Sequence, residues 1–378
     1  MSRLRVHILY EHGQHQRPYG SAYIRLLRPL AHPSLQHRLA VTSGLTYDSQ
    51  PVDAVIVDRL WRPDISPLLA ERLLTAVRAN GVKLIYALDD NFLDLSLEKA
   101  DWDANRQKVV EMFLTEADGI LVTTSALKGK FRKFNANIAV VPHALDEQLL
   151  QPYHSAKVDL QPDLSGNLAE ALNSTAQYIR NKLRFTRKER TVIGYMGTPT
   201  HDDDLMMVLP ALQAISKHHR DQIEVQIVGV IGRGLTHQTL KGLPMRSISL
   251  TSKQSEYPQF MAWFSSQVRW DIAIAPLRDT PFNRCKSDIK FLDYSAVGAA
   301  GIYSRVPAYE EAVRHQETGW LTENSINGWI EALEILVTDE QLRKKIGANG
   351  NRYLHDERIL ACCAAWWAKA IETLLKKT

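Results

Sequence analysis

Cysteine is scarce in this chain of 378 residues: only Cys285 and the adjacent Cys362 and Cys363. Three thiols build no disulfide framework, and a reducing compartment is the expected setting. No charge-free apolar run reaches about 20 residues, so no segment is expected to span a membrane as a helix. "MSRLR" leads straight into "VHILY", which leaves no room for a signal peptide's apolar core, and a cytoplasmic protein is expected. Charge of one sign is also lacking. Lys and Arg total 46 against 42 Asp and Glu, a net +4. No basic run is interleaved with aromatics either, so nucleic acid is not an expected partner. Neither half carries a G-x-G-x-x-G turn with a following acid, which argues against a dinucleotide oxidoreductase.

What is present is ordinary globular composition, 45% apolar and 23% charged, at a length that favours two domains. Short β-branched runs alternate with amphipathic stretches, the pattern of βα units around parallel sheets. Strands are expected at Val6–Tyr10, Ala54–Val57, Leu84–Ala87, Ile120–Thr123 and Ala139–Val141, with helices at Ser21–Leu30, Ser66–Ala79 and Trp102–Ala117. The second half repeats the scheme. Strands are expected at Thr191–Tyr195, Val225–Val228, Ile272–Ala275 and Gly301–Tyr303, and helices at Leu205–Lys217, Tyr257–Ser266, Ser287–Val297 and Ile326–Val337. The stretch from Pro152 to Glu189 lacks a clean period and reads as an interdomain connection with a helical segment near Leu168–Leu183. Its basic run "RNKLRFTRKER" reads as a solvated face. The tail "LACCAAWWAKAIETLLKKT" is an amphipathic helix expected to pack on a domain, with peripheral membrane contact through Trp366, Trp367 and the lysines as the alternative.

Chemistry is expected at the strand ends. "IGYMGTPTHDDDL" is a glycine turn leading into a helix, where free N–H groups favour an anion; Gly197 and Thr198 are the candidates. Asp202, Asp203 and Asp204 fall in the first helical turn, where carboxylates answer the dipole. At about 100° per residue they cannot all face one ion, which leaves metal ligation with His201 a minor reading. In "FNRCKSDIKFLDYSAVGAAGIYS" the spacing of Lys286, Lys290 and Asp293 predicts one helical stripe beyond a strand's C-terminal end. Two cations and an acid suit a nucleoside diphosphate, the lysines on phosphate and the acid on ribose. In the first half, Gly20 and Ser21 open a helix after the first strand. Asp89 and Asp90 of "LIYALDDNF" sit at a strand end, as metal ligands, catalytic carboxylates, hydroxyl binders or a helix cap. His143 of "VVPHALD" lies near the presumed hinge.

On these motifs, above all "IGYMGTPTHDDDL" and "KSDIKFLDYSAVGAAGIYS", the chain resembles the GT-B glycosyltransferases, particularly the retaining family 4-like enzymes of bacterial polysaccharide assembly. The resemblance implies an α/β fold of two facing Rossmann-like domains with an interdomain cleft. Residues 1–150 would bind the acceptor, 151–190 connect, 191–356 bind the donor, and 357–378 cross back as a helix to the first domain. It implies a nucleoside-diphosphate sugar as donor, a saccharide or lipid-linked acceptor, and no cofactor or metal. Carried over, Gly197 and Thr198 approach the diphosphate and Asp293 holds ribose. Asp89 and Asp90 occupy roughly the strand end of the family's first-domain catalytic residue, and Gly20, Ser21 and His143 fall on the acceptor and phosphate side. Three positions depart from the pattern: Asp293 replaces the usual Glu, Cys285 stands where a first acid is expected, and no lysine or arginine lies between Gly197 and Lys217. Lys286, with Arg284 or Lys290, must then neutralise the diphosphate. The Cys285 departure raises a catalytically inactive nucleotide-sugar-binding protein as one alternative, and a GT-B-fold nucleotide-sugar epimerase is the other.

Overall fold

The computed structural model describes residues 3–13, 15–95, 102–150, 190–198, 201–229, 243–252 and 254–376. The helix expected near Leu168–Leu183, and all but the last residue of the basic run before it ends at Arg190, lie outside the described residues.

Two six-stranded, wholly parallel sheets carry the chain. The first comprises β1 (Leu4–Leu9), β2 (Leu39–Gly44), β3 (Ala54–Asp58), β4 (Lys83–Leu88), β5 (Gly119–Val122) and β6 (Ile138–Val140), ordered β2-β1-β3-β4-β5-β6. The second comprises β7 (Thr191–Met196), β8 (Ile223–Val228), β9 (Met245–Ile248), β10 (Ile272–Ala275), β11 (Ala300–Ser304) and β12 (Trp320–Thr322), ordered β12-β11-β10-β7-β8-β9. In each sheet the direction of winding reverses at the first strand, between β1 and β3 and between β7 and β10. Crevices open at such switch points, beyond the carboxyl ends of the strands. The central strands β3 and β10 are buried along their whole length, as helices on both faces require.

Helix α1 is α-helical at Gly20–Ala22 and Arg28–Leu30, with π-helical Tyr23–Leu27 between. The others used below are α2 (Pro67–Ala79), α3 (Ala104–Glu116), α4 (Ser125–Phe131), α5 (Asp202–His218), α6 (Tyr257–Gln267), α7 (Ile289–Ala296), α8 (Ile326–Thr338), α9 (Glu340–Glu357) and α10 (Ala365–Lys376). Their starts follow local chemistry. Ser66 caps α2 by accepting from the Leu69 N–H with Pro67 in the first turn, and Ser325 caps α8 through the Gly328 N–H.

Several elements differ from expectation. Strands β2, β9 and β12 and helices α4 and α9 were not anticipated; β2 and β9 are sheet edges with exposed residues, so no buried alternation marks them. Helix α7 begins at Ile289 rather than Ser287, because Asp288 stays outside it and binds Arg358. Lys286 is therefore extended chain (φ −64°, ψ 158°) and not part of a helical stripe with Lys290 and Asp293.

Close packing fixes the second sheet at Gly194, where a Cβ would stand 1.8 Å from Trp270 Cδ2. The chain then returns to the first domain. Arg358 bridges Asp288 (2.8 and 3.2 Å) and donates twice to the His143 carbonyl (3.0 and 2.7 Å), so one guanidinium ties both domains to the crossover. Helix α10 buries Trp367, Ile371 and Leu374 against Val6, Ile8, Ile56 and Ile85. The Trp367 indole N–H donates to the Arg25 carbonyl at 2.6 Å. Trp366 remains 40% exposed. Among the described residues no helix is long and apolar enough to cross a membrane.

Candidate active site

At the first switch point a charged cluster fills the ends of β1, β3 and β4. Arg25 of α1, only 1% exposed, pairs with Asp58 and with Asp89 (2.6 Å to the latter). Arg59 reaches Glu11 at 3.2 Å, Asp89 at 3.6 Å and Asp90 at 3.7 Å, and donates to Ser21 Oγ at 3.0 Å. Burial alone would raise Asp89, but Arg25 and then Arg59 hold its carboxyl below the ordinary range. Glu11 goes the other way, raised by burial and only partly offset by Arg59. Asp89 is thus a fixed anion committed to two guanidinium groups. Asp90 is less committed, and its other partner comes from the second domain: Lys286 Nζ lies 3.4 Å away.

The second switch point faces this cluster. Gly197 follows β7, and a Cβ there would stand 2.7 Å from the Tyr195 hydroxyl. Gly229, at φ +106°, packs onto the Gly197 carbonyl, so both turns need glycine. Helix α5 does carry Asp202, Asp203 and Asp204 in its first turn. Asp204 is buried, accepting from the Arg278 N–H at 2.9 Å and sitting 3.0 Å from the His201 ring, while Asp203 faces outward to Arg278. Asp203 and Asp204 thus both meet Arg278. Among the described residues, the cluster with spacing suited to an ion is His218, His219 and Glu334, at the other end of α5.

Lys290 lies over the Tyr195 ring at 4.9 Å. Burial lowers its ammonium to about 8 against the pull of Asp204. Asp293, one turn on, is 6% exposed, and its Oδ1 has no hydrogen-bond partner. Burial pushes that carboxyl up to about 8, with Lys290 opposing. Tyr257, at the start of α6, is close enough to Asp293 to feel its charge, and its Cβ lies 3.4 Å from where a Cβ of Gly20 would be. Gly20 thus brings α1 against the second domain. Beside this approach a cavity of about 850 Å³ opens between Gly13, Arg17 and Gly20 on one side and Ser252, Glu256 and Tyr257 on the other, a size that suits an organic substrate. Arg17 and Glu256 pair across it.

The remaining candidates sit apart. Arg284 is exposed and held by Asp279 (2.6 and 2.8 Å). Cys285 is buried in the first domain's core, and its carbonyl accepts from Thr124 Oγ1 at 3.1 Å, so the position serves interdomain packing. His143 is buried with neither ring nitrogen partnered; burial lowers it to about 4, opposed by Asp89. Glu11, Arg25, Asp58, Arg59, Tyr195 and Tyr257 were not singled out from sequence. Only "IVDRLW" held a signal, since Asp58 and Arg59 end a strand as Asp89 and Asp90 do.

Two facing Rossmann-like domains with charged switch points across a cleft define the GT-B class of glycosyltransferase architecture. Three solved structures agree in fold: sucrose-phosphate synthase from Thermosynechococcus elongatus (TM-score 0.67, 13% identity, 100% of both chains), Anabaena HepE in complex with UDP and glucose (0.64, 14%, 98% of this chain and 100% of that one), and a glycosyltransferase from Rickettsia africae (0.63, 12%, 100% of both). No curated protein sequence matches the chain. Residues 190–339 match the family Glycosyl transferases group 1. The second domain thus matches a glycosyltransferase family, and the whole chain shares the fold of these three structures.

Proposed function

We propose that this protein transfers a sugar from a nucleoside diphosphate to a saccharide or lipid-linked acceptor, with retention of configuration and without a metal ion. The observation that carries the reading is the partnerless, buried carboxyl of Asp293 beside Lys290 at the second switch point. A donor's ribose hydroxyls would supply the missing hydrogen bond, and Lys286 and Lys290 would face the diphosphate. The HepE structure, of the same fold, holds UDP and glucose. The first turn of α5 already carries three carboxylates, so the two lysines, rather than that helix's dipole, stabilise the leaving phosphate.

In the reaction, the acceptor hydroxyl oxygen bonds to the anomeric carbon as the bond to the β-phosphate oxygen breaks. Its proton passes to that departing oxygen. Asp90, the less committed acid, orients the acceptor, while Asp89 holds Arg25 and Arg59 in place. Gly197 and Thr198 line the diphosphate's approach, and Gly20 and Ser21 close on it from the first domain. Arg284 keeps only an outer electrostatic role. The free thiols of Cys285, Cys362 and Cys363 suit the cytoplasm, and exposed Trp366 is the contact available should the acceptor lie in a membrane.

The test is thermal stabilisation by UDP, GDP, ADP and dTDP compounds, followed by turnover assays. Stabilisation by one nucleotide, lost in Asp293→Ala, is expected. Tight binding without transfer across many acceptors would leave a binding protein, and a sugar-nucleotide product formed without acceptor would leave an epimerase.

A further inference from the structure

A second interdomain cavity, of about 140 Å³, lies where the end of β5 meets the crossover. That volume suits a small tetrahedral anion and falls below the roughly 300 Å³ at which organic ligand pockets begin. The first domain lines it with Thr123, Thr124 and Ser125; the second contributes Arg284, Lys286 and Arg358, with Asp288 and Glu311 as the acids. Arg358 and Asp288 neutralise each other in a two-bond pair. Arg284 is held from outside by Asp279, and Lys286 has a single carboxylate contact, to Asp90 at 3.4 Å. Thr124 Oγ1 is used in capping α4 and in bonding the Cys285 carbonyl. Thr123 is different: 3% exposed, its hydroxyl has no partner. A buried hydroxyl left unpaired is unfavourable, and an oxyanion here would satisfy it while meeting the remaining donors of Lys286.

We infer that this cavity is a phosphate-binding subsite, distinct from the donor's diphosphate site, that anchors a phosphate group of the acceptor. It rests on the proposed function for the identity of the acceptor, but not for the binding itself. Lys286 stands between the two sites, with its Nζ 3.4 Å from Asp90 Oδ1. The subsite exists only when the domains meet, since both contribute to its walls. An acceptor phosphate would therefore hold the cleft closed.

The probe is inorganic phosphate, read by thermal shift with and without saturating UDP. In the parent, phosphate stabilises further when UDP is already bound, which separates this subsite from the donor site. Thr123→Val, close in shape, should weaken the phosphate response about tenfold in concentration and leave the UDP response unchanged, and Thr123→Ser should restore it. A phosphate response that vanishes under UDP, or that survives in Thr123→Val, overturns the inference. If UDP itself has no effect while phosphate still discriminates Thr123→Val, the donor reading fails and the subsite stands.

Discussion

Asp293→Asn isolates the buried carboxyl at the second switch point. The substitution keeps the shape and replaces a group that titrates with one that does not. Burial pushes the folded-state carboxyl to about 8 from an ordinary 3.8. The native protein therefore holds a proton that the unfolded chain has released. The stability this gives is complete below about pH 4 and is lost as pH rises through the folded value. Across roughly four pH units at about 1.4 kcal/mol each, the loss is on the order of 5 kcal/mol. Lys290, lowered to about 8, acts oppositely, but only above that pH, where the folded state releases its proton first. His201 and His143, both lowered by burial, add a rising slope in mild acid, common to parent and variant. The difference between the two proteins thus reports Asp293 together with Lys290, which loses the upward pull of Asp293 in the variant and is lowered further. In urea unfolding at about pH 5.5 and about pH 7.5, the Asn variant should gain on the parent by roughly 2–3 kcal/mol between the two conditions. An offset that is the same at both pH values would refute the argument, because it would mean the carboxyl titrates alike in both states.

Lys286→Ala removes a charged donor shared by Asp90 and the proposed diphosphate; nucleotide affinity measured by calorimetry should fall about tenfold to a hundredfold, the equivalent of roughly 1.5–3 kcal/mol. Gly194→Ala forces a methyl into the Trp270 ring and should cost about 3 kcal/mol or more in chemical unfolding; a neutral result would mean that β7 and Trp270 yield more easily than their packing implies. Trp367→Ala empties a buried indole site on the first domain and should lower stability by about 3–5 kcal/mol, with hydrogen exchange rising in β1, β3 and β4 before it rises in β7 or β10.

Element type was readable where burial imposes a period. Ala54–Asp58 and Ile272–Ala275 are central strands, and their apolar runs stand out because both faces are covered. Leu39–Gly44 carries Thr42 and Ser43 on an exposed edge, and without a second covered face it looks like a loop. Asp293 stood out in the sequence because it follows a strand end within one helix, and the fold buries it at the second switch point. The helical stripe failed at Lys286, since a single tertiary contact, Arg358 to Asp288, holds the preceding residues outside the helix. The charged cluster was illegible for a related reason. Arg25 sits in "SAYIRLLRPL" where a solvated arginine would be unremarkable, and its partners Asp58 and Asp89 lie far along the chain. Sequence spacing conveys neighbours on one element, not those that meet at the ends of three strands.

The docking of α10 gives the chain an unusual order of assembly. The second sheet needs nothing beyond about residue 357 to close its core, whereas the face of the first sheet carrying Val6, Ile8 and Ile85 is covered by Trp367, Ile371 and Leu374. During synthesis the half made first is thus the half finished last, against the usual progression from the N-terminus. An apolar face stays open until the last helix emerges. Ribosome-bound intermediates lacking α10 should engage chaperones through the first domain even when the second is native.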